Sequence, residues 1–357
     1  MKSLPGSNHI SKIAPILLLL LSLWTIWLQE PIPTNEWNFS KPLELFYNRE
    51  SERWDKLPSK RTLVVQFVSR ERIEEFNIYW DSHEKHLMMP MANASLLLAC
   101  PYLDTTGLVN GIIKHQNWTL IRTLNHDHPL AHGCLTVYRT AGGVDVLFQP
   151  IIITLPRYYM NNPVQPFCAN GNWSLSYSMY SGAVYSYHII QLPIIQRYDF
   201  YLKVDTDIEF KRDLSIDIGN DMMDKGCLIG HSAIHDAKDC EKNSLKALRK
   251  AAVQLNLTDA RSAKYPWCDR GGQGDQVNSI FYGNFFALST KLLLDPEIRA
   301  LSRYLFDSWE SGYFTYRWGD QAPFAIYVCH ALDIPDLHND PKICDYSEYR
   351  GTVFEHY

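Results

Sequence analysis

Asp205 and Asp207 stand one residue apart at the end of the run Tyr198-Asp199-Phe200-Tyr201-Leu202-Lys203-Val204. Aromatic and β-branched residues dominate that run, which is the composition of a buried strand, and alternation along a strand sends both aspartates the same way. Two carboxylates converging at a strand end repel each other unless a cation lies between them, and hard oxygen ligands suit Mn²⁺ or Mg²⁺. A divalent ion held there would neutralise the charge that develops on a departing diphosphate, so the pair fits chemistry on a nucleotide sugar. A phosphatase of the haloacid dehalogenase type also carries Asp-x-Asp after a strand. Its pattern has Thr or Val two residues after the second Asp, where this chain has Glu209.

A second cluster, Arg317-Trp318-Gly319-Asp320, gathers a fixed cation, a stacking surface, a hinge and a carboxylate. It suits sugar binding, where an aromatic face stacks on the ring and a carboxylate accepts its hydroxyls; the plain alternative is a helix start with a structural ion pair. Other groupings carry less. His126, His128 and His132 read as loop histidines. His231 and His235, with Asp236 and Asp239 nearby, have a spacing compatible with zinc on a helix, but no general-base Glu or third His completes a pattern, and a polar turn is the simpler reading. Arg270-Gly271-Gly272-Gln273-Gly274-Asp275 follows no clear strand and lacks the Lys-Ser/Thr of a phosphate-binding loop, so it reads as a turn.

The elements that must position these groups alternate between strand and helix. The run 61–69 is strand-like, Ile73, Phe76 and Trp80 have helical spacing, and 95–100 is again strand-like; strand, helix, strand predicts a parallel sheet. Two short strands are expected at 144–148 and 151–155, separated by Gln149 and Pro150, and another at 225–231. A helical segment from Tyr177 to Gln196 runs into the Asp-x-Asp strand, 245–257 reads as an amphipathic helix, and Pro296 opens a helix capped by Asp295. Arg70, just past the first strand, and Tyr177 join Asp205 as candidate nucleotide-binding residues.

The chain has 357 residues and a net charge of -5, with neither the basic surplus nor the clustered cations of a nucleic-acid binder. Residues 13–28 form an uncharged apolar run preceded by Lys2 and Lys12, somewhat short of the ~20 residues that span an average bilayer. No small-x-small cleavage site follows, and lysines on the N-terminal side keep that end cytoplasmic. The expected organisation is a cytoplasmic tail at 1–12, a signal anchor at 13–28, a stem at 29–60 and a lumenal domain at 61–357. Sequons at Asn38, Asn93, Asn117, Asn172 and Asn256 agree with a lumenal domain, as do eight cysteines with no Cys-x-x-Cys pair. Which of those cysteines pair is open at this level.

Tyr198-Asp199-Phe200-Tyr201 before the acidic pair, Gly312-Tyr313-Phe314, Arg317-Trp318-Gly319-Asp320 and Ala322-Pro323 resemble the fungal α-1,2-mannosyltransferases of the Kre2/Mnt1 (KTR) type, as does the preceding segment with Met179, Ser181-Gly182 and Tyr187-His188. The resemblance covers about residues 175–350. It implies a GT-A fold, a Rossmann-like mixed α/β sheet, and a Golgi enzyme that transfers mannose from GDP-mannose to a glycan hydroxyl with Mn²⁺ and retention at the anomeric carbon. It also implies that His338 joins Asp205 and Asp207 as a metal ligand, and that Arg317 and Asp320 are catalytic. The chain departs from the family pattern at three places. Asp205-Thr206-Asp207 stands for Glu-Pro-Asp, Gln321 interrupts Asp-Ala-Pro, and Phe286 occupies the position of the family's candidate nucleophilic Glu. The last departure keeps open a glycan-binding protein of the same fold without catalysis; another nucleotide sugar is the further alternative.

Overall fold

The computed structural model describes residues 60–356 except 126–127, 162, 164–166, 169–170, 173–174, 176–177, 238–242, 258–266, 269–274, 276, 309–311 and 317. The expected tail, anchor and nearly all of the stem, together with Tyr177, Arg317 and most of the glycine-rich segment, lie outside the described residues. Among those residues no helix is long and apolar enough to cross a membrane.

The described residues form fifteen strands: β1 (Thr62–Phe67), β2 (Ala94–Pro101), β3 (Thr119–Asn125), β4 (Cys134–Arg139), β5 (Asp145–Ile151), β6 (Phe167–Cys168), β7 (Gly171–Asn172), β8 (Phe200–Val204), β9 (Ile208–Phe210), β10 (Ile229–His231), β11 (Ile234–Asp236), β12 (Ser279–Phe281), β13 (Phe285–Ser289), β14 (Ile343–Asp345) and β15 (Phe354–His356). Nine of them make one mixed sheet, ordered β14-β10-β13-β8-β1-β2-β5-β4-β3. Its centre is parallel, with β1 between β2 and β8 and β5 beyond β2, whereas β13 runs antiparallel to β8. These central strands are buried on both faces, as their continuous apolar runs require. The predicted parallel strand, helix, strand unit is therefore present, with the helix Ile73–Ser82 burying Phe76 and Trp80.

Alternation divides the core in two. Tyr201, Phe286 and Leu288 face one side, against the helices Ser244–Leu255, Pro296–Asp307 and Gln321–Ala331; Leu202, Val204, Phe285 and Ala287 face the other, with Phe76 and Trp80. The helix Pro296–Asp307 starts as expected, its Asp295 carboxylate accepting from the Glu297 (2.8 Å) and Ile298 (3.3 Å) amides. The helical stretch before β8 is wound as a π-helix over Ser178–His188 and then as two 3-10 turns, Ile189–Gln191 and Pro193–Arg197.

Two expectations are corrected. Residues 144–155 hold one strand, not two: β5 passes through Gln149 and Pro150, which pair with Ala99 and Cys100 of β2, and the proline is tolerated because it falls near the strand end. His231 and His235, which read as a polar turn, lie on separate strands, β10 and β11, and so also lack the helical spacing that would suit zinc. Disulfides join Cys227 to Cys344 and Cys268 to Cys329.

Candidate active site and metal centre

β1 and β8 are parallel neighbours, so the backbone leaves both at the same edge of the sheet, and there Asp205 and Asp207 emerge. The Asp205 amide donates to the Asn284 carbonyl (2.9 Å) just before β13, which fixes the chain as it leaves the strand. The next turn is held from below. Gln66 Nε2 donates to His83 Nδ1 (2.9 Å), and His83 Nε2 donates to the Ile208 carbonyl (2.6 Å), an arrangement that only the neutral imidazole satisfies. Burial lowers the His83 pKa to about 4, against the carbonyl of Ile208 and the charge of Asp207.

The third member of the cluster comes from the far end of the sequence. β15 pairs antiparallel with β9 in a register that sets His356 opposite Ile208, and so brings His356 Nε2 to 3.3 Å from Asp207 Oδ1. Asp205, Asp207 and His356 each offer a ligand atom, all within 4.8 Å of one another. Burial alone would raise the Asp207 pKa, but the hydrogen bond and charge of His356, with the charge of Arg72, hold it below the ordinary carboxylate value. His356 is correspondingly raised, chiefly by that hydrogen bond. Two hard carboxylates and one imidazole fit Mn²⁺ or Mg²⁺.

Beside the cluster lies a buried charge relay. Lys203, two residues before Asp205 and on the same face, is 3% exposed; its ammonium contacts Asp205 Oδ1 (2.7 Å) and Asp320 Oδ2 (2.8 Å) and donates to the Gly283 carbonyl. The ring of Tyr185 lies beneath it, 4.6 Å from the ammonium. Burial opposes the charge on Lys203, but Asp205, Asp320 and Tyr185 hold its pKa above the ordinary lysine value. Burial pushes Asp320 up to about 6, against the charge of Lys203, whose ammonium at 2.8 Å favours the carboxylate form.

Asp320 is placed by contacts that leave no room to spare. It precedes the helix Gln321–Ala331, and its amide donates to the Ser181 carbonyl (3.0 Å). A Cβ on Gly283 would lie 2.7 Å from Asp320 Oδ1, and one on Gly182 would lie 2.5 Å from the Trp318 carbonyl. Only glycine allows the carboxylate, and the helix behind it, to approach so closely.

The sequence-predicted residues are thus partly brought together. Asp205 and Asp320 converge on Lys203, and Asp207 joins Asp205 in the group completed by His356. Arg70 sits at the same sheet edge but is exposed, with its amide bonded to Asp104 Oδ2 (2.8 Å); Arg72, not Arg70, reaches the acidic turn, donating to Thr206 Oγ1 (3.2 Å). His338 is exposed, lies beside His231 and Asp345, and is not in the metal-competent group, where His356 stands instead. Phe286 is 1% exposed, 5.1 Å from the Phe281 ring and 5.3 Å from that of Phe324, so an aromatic stack occupies the position of the family's Glu. Lys203 was discoverable from sequence, since a lysine inside an apolar strand needs a buried counter-charge. His356 carried no local signal.

No protein-family profile and no curated protein matches the chain. Solved structures do. Core-mannan synthase A (CmsA/Ktr4) from Aspergillus fumigatus, in its Mn/GDP form, superposes with a TM-score of 0.55 at 12% identity, over 83% of this chain and 74% of that one. The mannosyltransferase Ktr4p from S. cerevisiae gives a TM-score of 0.54 at 12% identity over 91% of this chain and 82% of its own. Its complex with GDP gives 0.51 at 12% identity, over 77% and 67%. This chain has the mixed α/β fold of those GT-A mannosyltransferases.

Proposed function

We propose that this chain is a metal-dependent glycosyltransferase, a single-pass type II protein of the Golgi membrane that moves mannose from GDP-mannose to a hydroxyl of a glycan or glycoprotein acceptor with retention. The observation that carries the proposal is the convergence of Asp205, Asp207 and His356 within 4.8 Å at the exit of β8, on a fold shared with two fungal mannosyltransferases.

Asp205, Asp207 and His356 would hold Mn²⁺, which when bound offsets the charge of a departing diphosphate. Lys203 fixes Asp205 and Asp320 relative to each other, so the metal side and the sugar side of the site are one rigid unit. Asp320, held as a carboxylate by Lys203, accepts a hydrogen bond from a sugar hydroxyl and orients it. Phe286 leaves no carboxylate at the position of the family nucleophile, so the reaction proceeds on one face. The acceptor oxygen bonds to the anomeric carbon, the bond to the diphosphate oxygen breaks, and the diphosphate takes the hydroxyl proton.

Thermal unfolding of the purified full chain with GDP, UDP and GDP-mannose, with and without Mn²⁺, tests the proposal. Ligand at ~100 times its dissociation constant adds ~2.7 kcal/mol, which is resolved as a melting shift. A Mn²⁺-dependent shift with GDP is expected. A shift with UDP alone moves the donor, and no shift with any nucleotide favours the glycan-binding alternative and overturns the transferase.

A further inference from the structure

One end of the main sheet is open. β3 is its last strand, paired on one side by β4, and among the described residues no strand pairs with its other side. It is exposed along almost its whole length and carries Leu120 at 57% and Ile121 at 42% exposure. A long edge strand with exposed apolar side chains is a template for pairing with another chain, and folded proteins screen such edges. A register shift between Leu120 and Arg122 is one such device here.

The residues that enter β3 supply a second. Asn117-Trp118-Thr119 is a sequon, and the structure presents it with its two functional side chains outward. Asn117 is exposed in the left-handed conformation (φ 53°), which asparagine adopts more readily than most residues. Trp118 points inward and is buried against Phe76 (6.5 Å) and Trp80 (5.0 Å), so the turn is anchored. Thr119 is exposed as the first residue of the open strand. Two disulfides within the same domain show that its cysteine geometry suits an oxidising compartment, where oligosaccharide is also attached.

We propose that Asn117 carries an N-linked oligosaccharide and that this glycan, seated at the start of β3, screens the open edge against strand pairing between copies of the chain. The inference rests on the lumenal placement in the proposed function, not on catalysis. A bulky, solvated chain attached two residues before the strand keeps a second strand from lying along Leu120 and Ile121. Asn256, also exposed and left-handed (φ 51°) at the end of the helix Ser244–Leu255, serves as an internal reference, because it is a sequon on a different element.

The test expresses the full chain in eukaryotic cells and maps glycopeptides by mass spectrometry, alongside the variants Asn117→Gln and Thr119→Val, each of which removes the sequon while keeping the strand. Expected are an oligosaccharide on Asn117 in the wild type, one fewer endoglycosidase-sensitive mobility step in both variants, and greater self-association of both by light scattering in detergent. A bare Asn117 on chains whose Asn256 is glycosylated overturns the assignment. Occupied Asn117 with unchanged association in both variants overturns the screening role. Absence of glycan at every sequon overturns the inference with its lumenal premise, while the Mn²⁺-dependent nucleotide shift still stands or falls separately.

Discussion

At the scale of single residues the site depends on one ammonium. Lys203 touches Asp205 and Asp320 at 2.7 and 2.8 Å from within the protein, so its removal leaves two carboxylates facing each other with no counter-charge. Lys203→Met should cost about 3–5 kcal/mol in chemical denaturation, the usual penalty for breaking a buried ion pair by removing one partner. The double variant Lys203→Met with Asp320→Asn should recover part of that loss, because the second change removes an uncompensated charge. If it is no more stable than the single variant, Lys203 is not acting as the counter-ion. Asp207→Ala has the opposite signature. It removes one of the paired carboxylates, so the fold should persist while the Mn²⁺-dependent shift with GDP disappears; an Asp207→Ala protein with full transferase activity would remove the metal site from consideration.

Between elements, the sensitive contact is where the Ser178–His188 segment meets the turn before Gln321–Ala331. Gly182→Ala places a Cβ against the Trp318 carbonyl, a backbone atom that has nowhere to go, and overpacking of this kind costs about 1–3 kcal/mol. The Asp320 amide bonds to the Ser181 carbonyl, so the same shift moves the carboxylate, and misplacement by about 1 Å is enough for a loss on the order of 10²-fold in rate. Gly182→Ala should therefore lower kcat on the order of 10²-fold as well as lowering the urea midpoint, and a lowered midpoint with unchanged kcat would mean that this contact does not position Asp320. The same elements show what was legible in the sequence. β1, β2, β8 and the helix Ile73–Ser82 follow from local periodicity, and Asp205, Asp207 and Asp320 from residue type. Gln149 and Pro150 look like a break that splits β5 in two until β2 is known to pair across them. The resemblance points to His338, while nothing local points to His356, for a similar reason. The place of His356 beside Asp207 is set by the β9–β15 register, a pairing between segments far apart in the chain that leaves no local pattern.

For the molecule as a whole, acid should be destabilising well above the range where carboxylates titrate. His188 donates from Nδ1 to the Ala183 carbonyl (3.1 Å) and accepts at Nε2 from the Thr154 amide (3.2 Å), so its neutral form is fully used and a second proton would meet a donor. Burial lowers its pKa from 6.5 to about 4, and burial does the same to His83. Between those values the unfolded chain binds protons that the folded chain does not, so stability rises with pH across this window. At pH 7 both states are neutral and the contribution is complete. It falls as the pH drops below 6.5 and is lost by about 4, a total of about 3 kcal/mol for each imidazole. Urea unfolding at pH 7.0 and ~4.5 should show this decline before most carboxylates protonate. His188→Gln retains one donor and one acceptor and cannot take up the proton, so its pH slope should be shallower than that of the wild type by roughly one imidazole's share. An equal slope in the two proteins would mean that His188 titrates normally and that its pocket admits water. His83 links this same acid sensitivity to the site, since its bond to the Ile208 carbonyl holds the strand that follows Asp207 and pairs with β15. Protonating His83 takes away its acceptor for Gln66, and the acidic turn loosens with it.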